Sequence, residues 1–275
     1  MRNMIPQPTL YPETWITLER VAELDFNELV FPHRPTISAV DFIDERHEEI
    51  AGAKTGMHQI DVCIDLGIEG YLTHGDALKL YEMAALGRGD VLELGTHKGL
   101  STTILAEALS RRADGIIETI DIDLTTNIQA RENVAARVGT DRVNFVVMDA
   151  TRRLDELIKM HRRFGFVFVD HWHGYDATYE AASRLENLLL DGGFVLFHDV
   201  INPGNADPDH PYGVFQAIDD TIRKDSRFVF CGNFGCCSLY QFNGEKVLSV
   251  FAAQEEPQFK LFHFISKLKN KVFVR

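Results

Sequence analysis

An apolar strand that runs directly into a glycine loop and a helix constrains this chain more than any other feature. The strand occupies residues 90–94, the loop carries Gly95 and Gly99, and a helix with an apolar face opens at Ser101 or Thr102. Glycine lets the backbone approach a ligand closely, and strand ends in a doubly wound sheet open into a binding crevice. The stretch therefore predicts an α/β fold with a nucleoside site at the end of this strand.

The spacing of the glycines indicates which nucleoside is bound. A dinucleotide fold uses the pattern G-x-G-x-x-G and directs a helix N-terminus at a pyrophosphate, whereas this loop has only Gly95 and Gly99. Glu93 lies two residues before the loop, and its carboxylate would repel phosphate and suit a cationic ligand. The alternative is a glycine turn between strand and helix that binds no ligand.

The rest of the chain continues this alternation of strand and helix. Thr73, with Asp76 three residues later, marks the start of the first regular helix. Further strands are predicted at 115–123, 143–148, 166–169 and 194–197, and helices at 77–86, 127–137, 152–160 and 176–190, the last ended by Gly192 and Gly193. This alternation favours a parallel, doubly wound sheet. Final strands at 227–231 and 236–242 predict a closing antiparallel hairpin, where a nicotinamide-binding domain would add another strand and helix.

The motif Glu-Leu-Gly-Thr-His-Lys-Gly-Leu-Ser-Thr, residues 93–102, resembles the first motif of class I S-adenosylmethionine-dependent methyltransferases, in the variant found in small-molecule O-methyltransferases. The resemblance implies a doubly wound, seven-stranded, Rossmann-like sheet whose last strand is antiparallel, with a mainly helical N-terminal extension. It also implies S-adenosylmethionine as the cofactor. The residues expected to bind it are Glu93, Gly95, Thr96, Gly99, Ser101, Thr102, Asp121, Ile122, Asp149, Ala150 and Asp170.

Two of these expected contacts have alternatives. Asp121 ends the second strand, where a carboxylate can accept both ribose hydroxyls, and Asp123 competes for the same role. The resemblance favours Asp121 for the ribose and implies that Asp149 and Ala150 contact the adenine. A cap of the following helix is the alternative role for Asp149.

Acids and histidines follow two adjacent central strands of the predicted sheet. Residues 170–173 read Asp-His-Trp-His, and residues 198–199 read His-Asp. Because adjacent parallel strands end at one edge of a sheet, these side chains are expected to converge on one crevice. Such groups predict an open site for a divalent cation, with Asp170, His198 and Asp199 as ligands and Mg²⁺ as the expected ion.

Metal-dependent O-methyltransferases that act on antibiotic sugars and related natural products are similar here, since they carry Asp-x-x-His after the fourth strand. The resemblance implies that Asp170 and Asp199 bind the metal and that His173 is the base taking the hydroxyl proton, with Asp170 and His173 as the catalytic pair. His198 departs from the Glu or Asp usual in that family. Because Mg²⁺ rarely uses imidazole, this departure shifts the preference toward Mn²⁺, Fe²⁺ or Zn²⁺, or leaves a metal-free pair that orients substrate.

Composition restricts the partners of the chain. The formal net charge of −13 over 275 residues argues against a nucleic-acid partner, because polyanions are bound through clustered Lys and Arg, and favours a small-molecule substrate. The four cysteines form no C-x-x-C pair, the N-terminus has no signal-peptide core, and no apolar run is long enough for a membrane span. A cytoplasmic protein with reduced thiols is therefore expected.

Three parts of the chain are predicted. Residues 1–69 form an N-terminal extension that acts as a lid or an oligomer contact, or that covers the sheet edge, and residues 70–243 form the cofactor-binding catalytic domain. Residues 244–275 form a basic amphipathic tail, expected to pack on this acidic protein or on a second subunit of a homo-oligomer, with membrane contact as the alternative.

These observations predict a small-molecule O-methyltransferase assisted by a divalent metal. Two alternatives remain open, which are a metal-independent methyltransferase that uses His173 alone and a non-catalytic scaffold that keeps the nucleoside fold.

Overall fold

The computed structural model describes residues 16–23, 43–50 and 63–244. Within these residues the strands are β1 (Asp90–Leu94), β2 (Ile117–Asp121), β3 (Val143–Val147), β4 (Phe164–Val169), β5 (Leu189–Phe197), β6 (Phe228–Phe234) and β7 (Cys237–Phe242). The α-helices are α1 (Leu18–Ala22), α2 (Glu45–Ile50), α3 (His74–Leu86), α4 (Leu100–Leu109), α5 (Leu124–Arg137), α6 (Ala150–Lys159), α7 (Tyr175–Ala182) and α8 (Val214–Asp220).

The seven strands form one sheet in the order β3-β2-β1-β4-β5-β7-β6. Strands β1 to β5 pair in parallel, and β7 runs antiparallel to both β5 and β6. The predicted doubly wound sheet with an antiparallel last strand is therefore confirmed. The hairpin closes the sheet because a two-stranded antiparallel unit needs no crossover helix.

The register of the central strands sets the position of the site. Leu94 of β1 aligns with Ile120 of β2 and with Val169 of β4, and Val169 aligns with Phe197 of β5. The residues that follow these four positions, Gly95, Asp121, Asp170 and His198, therefore emerge at the same level. This alignment explains why residues far apart in sequence share one edge of the sheet.

Alternate residues of each central strand pack into two apolar layers. In β4, Phe166 and Phe168 face the layer that contains α3 and α4, whereas Val167 and Val169 face the layer that contains α7 and α8. Both faces of the strand are thus buried, which is why it reads as a continuous apolar run.

One predicted element differs from the structure. The helix predicted at 176–190 ends at Ala182, and β5 begins at Leu189 and runs through Gly192 and Gly193. The segment after α7 pairs with β4, where Leu189 lies opposite Phe164 across an irregular register. Pairing with a distant strand overrides the local helical pattern, and the two glycines lie within β5 instead of ending a helix.

The predicted start of the first regular helix is confirmed. Thr73 caps α3, its hydroxyl accepts from the Asp76 backbone N–H, and the Asp76 carboxylate accepts from the Thr73 backbone N–H. The reciprocal bonds satisfy two backbone donors that a helix N-terminus otherwise leaves unpaired. They also fix the Asp76 carboxylate in the interior, where it is fully buried.

Parts of the predicted extension and tail fall outside the described residues. Of the extension, α1, α2 and the segment that begins at residue 63 are described, and Glu82 of α3 lies 3.1 Å from His47 of α2 and 2.5 Å from Lys79. The predicted basic tail lies outside the described residues beyond Gly244. Among the described helices, none has the length and apolar character needed to cross a membrane.

Candidate active site

A cleft of about 920 Å³ lies at the carboxyl ends of β1 to β5. Its wall combines Gly95, residues 120–122, residues 148–151, residues 170–173 and residues that follow β5. Every parallel strand thus contributes the residues directly after its end, as expected for a doubly wound sheet. The predicted convergence of the strand-end residues is what the structure shows.

The glycine loop closes tightly onto the end of β4. Gly95 has a φ of +98°, and a Cβ at this position would lie 2.1 Å from the carbonyl oxygen of Asp170. Only glycine fits such an approach without strain. The loop then turns at His97, also at positive φ (44°), and the His97 backbone N–H donates to the Asp121 carboxylate at 2.7 Å.

The residues expected to bind the cofactor divide into two groups. Those lining the cleft are Gly95, Asp121, Ile122, Asp149, Ala150 and Asp170. Those that do not line it are Glu93, Thr96, Gly99, Ser101 and Thr102. Within the second group, Glu93 accepts hydrogen bonds from the hydroxyls of Thr102 (2.5 Å) and of Thr119 in β2 (2.6 Å). These bonds connect the end of β1 to the start of α4 and so support the glycine loop between them. Burial raises the pKa of Glu93 to about 7.

The two carboxylates that competed for the ribose have different surroundings. Asp123 is the N-cap of α5 and accepts from the Thr126 backbone N–H at 2.8 Å. Asp121 lines the cleft and accepts from the backbone N–H groups of His97 and Asp123. Asp149 caps α6 through the Arg152 backbone N–H and also lines the cleft, and its contact with the adenine stays a prediction.

Two carboxylates and two imidazoles meet at the far end of the cleft. Oδ1 of Asp170 lies 2.9 Å from Nδ1 of His198 and 3.2 Å from Nε2 of His173. Oδ2 of Asp199 lies 3.4 Å from Nε2 of His173 and 3.6 Å from Nδ1 of His198. Asn202 donates to the other Asp199 oxygen at 2.9 Å and fixes that carboxylate. The predicted ligands and the predicted base therefore form one cluster.

This cluster attracts positive charge. Burial alone would lower the pKa of His198, but the neighbouring carboxylates of Asp170 and Asp199 raise it well above its usual value. The same interactions outweigh the effect of burial on Asp199 and lower the pKa of that carboxyl. Either a proton on His198 or a bound cation would compensate the negative charge of Asp170 and Asp199.

The donor set fits a divalent cation. Ligand atoms of Asp170, His173 and His198 all lie within 4.8 Å of one another. Nδ1 of His198 is buried and lies 2.9 Å from Oδ1 of Asp170, so it can donate a proton to that carboxylate or, when deprotonated, bind a cation together with it. An imidazole nitrogen beside two carboxylates is a donor set that a divalent cation can bind.

A second polar layer lies behind His198. Nε2 of His198 is 3.2 Å from Sγ of Cys236 and 3.6 Å from Oδ2 of Asp76. Sequence reasoning identified Asp76 only as a helix-start residue and gave Cys236 no role. No local signal could have paired them, because they lie 160 positions apart and meet only when β7 joins the sheet.

Aromatic side chains form the rim of the cleft. The Tyr212 ring centroid lies 5.0 Å from that of His173, and Tyr71 also lines the cleft. Burial and the nearby Asp199 raise the pKa of Tyr212 to about 12, so the phenol is neutral at physiological pH. Trp172 is 68% exposed, which identifies it as a rim residue and not as part of the core.

Comparison with known proteins agrees with this fold. Residues 92–200 match a family described as a methyltransferase domain. The structure of an O-methyltransferase from Bacillus cereus in complex with SAH has a TM-score of 0.53 at 17% identity, covering 73% of this chain and 91% of that one. At this identity the likeness shows the fold.

Two curated relatives match shorter stretches. One is the tRNA1(Val) (adenine(37)-N6)-methyltransferase of Aeromonas salmonicida, 43% identical over 56 residues, which cover 20% of this chain and 23% of that protein. The other, from Arabidopsis thaliana, is provisionally named a caffeoyl-CoA O-methyltransferase and is 29% identical over 113 residues, which cover 41% of this chain and 47% of that protein. The chain thus spans about a quarter of the length of the first relative and about half of the length of the second.

The strand order, the glycine loop and the match of residues 92–200 to a methyltransferase domain agree with the predicted resemblance to class I S-adenosylmethionine-dependent methyltransferases. The resemblance of residues 93–102 to the first motif of this class is therefore confirmed. The chain shares its fold with the O-methyltransferase from Bacillus cereus.

Proposed function

We propose that the protein transfers the methyl group of S-adenosylmethionine to a hydroxyl oxygen of a small molecule, assisted by a divalent cation and with His173 as the general base. The observation that carries the proposal is the single cleft. It places the glycine loop and Asp121 beside the cluster of Asp170, His173, His198 and Asp199.

The cofactor half of the cleft supports nucleoside binding. Asp121 is held by two backbone N–H groups and still lines the cleft, so its carboxylate can accept the ribose hydroxyls. Asp149 and Ala150 also line the cleft, and the Asp149 carboxylate could accept from the exocyclic amine of an adenine bound there. These contacts position the sulfonium, whose methyl group is already activated for transfer.

The acceptor half supports proton removal. A hydroxyl bound beside Asp170 gives its proton to His173 as the oxygen attacks the methyl carbon and the sulfur leaves as the neutral thioether. Asp170 and Asp199 lie within 3.2 and 3.4 Å of Nε2 of His173 and would stabilise the resulting imidazolium. A divalent cation held by Asp170, His198 and Asp199 would stabilise negative charge on the acceptor oxygen.

A metal-independent reaction is the second candidate. The same carboxylates that suit a cation raise the pKa of His198, so a protonated imidazole could supply the positive charge instead. The two candidates differ in one measurement. Exhaustive chelation abolishes turnover if a cation is required and leaves it unchanged if protonated His198 suffices.

The charge of the cleft restricts the acceptor. Five carboxylates line it, which are Glu69, Asp121, Asp149, Asp170 and Asp199. Glu69 is paired with Lys98 of the glycine loop, and among the described residues no lysine or arginine lines the cleft. Phosphate-bearing acceptors such as nucleic acids or coenzyme A esters would meet repulsion here. The acceptor is therefore an uncharged or cationic hydroxyl compound, and the rim aromatics suit one with a ring.

Calorimetry with S-adenosylmethionine and S-adenosylhomocysteine tests the first step. Binding that is lost in Asp121→Ala, together with release of S-adenosylhomocysteine in the presence of hydroxylated ring compounds and Mn²⁺ or Mg²⁺, is the expected result. No binding at millimolar cofactor would refute the methyltransferase activity. Binding without turnover over a broad acceptor panel would favour the non-catalytic scaffold.

The cellular setting is a further part of the proposal. Among the described residues no disulfide is formed, which agrees with the expected reducing, cytoplasmic location. A homo-oligomeric state and a packing role for residues 244–275 stay predictions.

A further inference from the structure

The imidazole of His198 contacts polar groups on both of its sides. Nδ1 faces the cleft and the Asp170 carboxylate at 2.9 Å, whereas Nε2 faces the interior and Sγ of Cys236 at 3.2 Å. Asp76 lies behind Cys236, with its Oδ2 atom 3.3 Å from Sγ. His198 is 4% exposed, and Asp76 and Cys236 are fully buried, so these groups form hydrogen bonds with one another and not with bulk water.

The Asp76 carboxylate is held as an acceptor from several directions. Its Oδ1 accepts the Cys236 backbone N–H at 2.9 Å, and its Oδ2 accepts the Thr73 backbone N–H and hydroxyl, each at 2.7 Å. Both oxygens of Asp76 thus accept from N–H or O–H donors, which is the hydrogen-bonding pattern of a carboxylate.

The turn between β6 and β7 brings the thiol to this carboxylate. Gly235 has a φ of +58°, and a Cβ there would lie 2.1 Å from the Thr73 hydroxyl and 2.4 Å from Asp76 Oδ1. Only glycine allows this approach, which seats Cys236 between Asp76 and His198.

The chemistry of the three groups permits one ordered arrangement. A thiol is a weak donor and a weak acceptor, so Cys236 can donate its S–H to the Asp76 carboxylate and accept the Nε2–H of His198. A neutral imidazole has a single N–H. When that proton is on Nε2, Nδ1 carries a lone pair on the side of Asp170, where it is available to a cation held by both groups.

We propose that Asp76 and Cys236 are positioning residues that hold His198 with its proton on Nε2, so that Nδ1 faces the cleft as a neutral metal ligand. The inference rests on the metal site of the proposed function. Partners of this kind change metal affinity by about 10- to 100-fold in other sites.

Titration of the full-length protein with Mn²⁺, followed by calorimetry and by the electron paramagnetic resonance of free Mn²⁺, tests the role without measuring activity. Cys236→Ala removes the acceptor for Nε2–H and should weaken binding about tenfold or more. Cys236→Ser keeps a donor and an acceptor and should stay within about threefold of the wild type. Cys231→Ala is the matched control, because it removes another buried thiol that has no contact with His198 among the described pairs.

The tautomer is measured directly by ¹⁵N–¹H correlation of the histidine rings in the Zn²⁺-saturated protein. The expected signal for His198 is a proton on Nε2 and none on Nδ1, and Cys236→Ala should shift it. Equal Mn²⁺ affinity for Cys236→Ala and the wild type, or a proton on Nδ1, overturns the positioning role and leaves the methyltransferase proposal intact. A wild-type protein that binds neither metal overturns the role together with the metal-assisted mechanism.

Discussion

Replacing Glu93 with glutamine should make the stability of the protein less sensitive to pH. The carboxyl is fully buried under the glycine loop and accepts two threonine hydroxyls, and burial raises its pKa from 4.5 to about 7. Below pH 4.5 the group is protonated in both the folded and the unfolded chain. As the pH rises, the unfolded chain releases its proton first, so ionisation favours unfolding.

The magnitude follows from the two pKa values. A folded-state pKa of about 7 against 4.5 lowers the free energy of unfolding by about 3 kcal/mol once the pH exceeds 7. Between pH 5 and pH 8 the loss is about 2.5 kcal/mol. Glutamine has the shape of the protonated carboxyl, can accept the same hydroxyls and does not titrate, so Glu93→Gln does not undergo this loss.

Urea denaturation at pH 5 and pH 8, at constant ionic strength and followed by circular dichroism, measures the effect. The stability of Glu93→Gln relative to the wild type should rise by about 2.5 kcal/mol from the lower to the higher pH. Taking the difference between the two proteins cancels the contribution of every other titrating group. A difference that stays constant within about 0.5 kcal/mol would show that the carboxyl titrates normally and would refute the reasoning.

Three further changes test the cleft. Asp121→Asn should weaken S-adenosylhomocysteine binding by about 10- to 100-fold in calorimetry, because charge-assisted hydrogen bonds are lost. Asp123→Ala should cost about 1 kcal/mol of stability through the lost cap of α5 and leave the affinity for S-adenosylhomocysteine unchanged. Equal affinities of Asp121→Asn and Asp123→Ala would contradict the assignment of Asp121 to the ribose. Gly95→Ala should lower the thermal midpoint and abolish cofactor binding, because its Cβ would overlap the Asp170 carbonyl, and an unchanged midpoint would argue against that geometry. His173→Gln should lower kcat by about 10²- to 10⁴-fold with cofactor affinity unchanged, and a kcat close to that of the wild type would exclude His173 as the base.

The sequence by itself determined the sheet and the edge at which the cleft lies. Strand and helix alternation is a local pattern, and parallel strands have their carboxyl ends at one edge, so Asp121, Asp170 and His198 were predictable as neighbours. The spacing of Gly95 and Gly99 also separated this nucleoside site from a dinucleotide site. These inferences need only the order of the elements and the residue that follows each strand.

Only the tertiary structure decided which groups face the cleft and which support it. Glu93 has the residue type of a ligand contact, yet the fold buries it beneath the loop, and Asp123 is used as a helix cap. Pairing with β4 turned the end of a predicted helix into the start of β5. The contact of Asp76 and Cys236 with His198 joins α3, β5 and the final hairpin. Asp76 and Cys236 are 160 positions apart in the sequence, and no local pattern encodes a contact between residues so far apart.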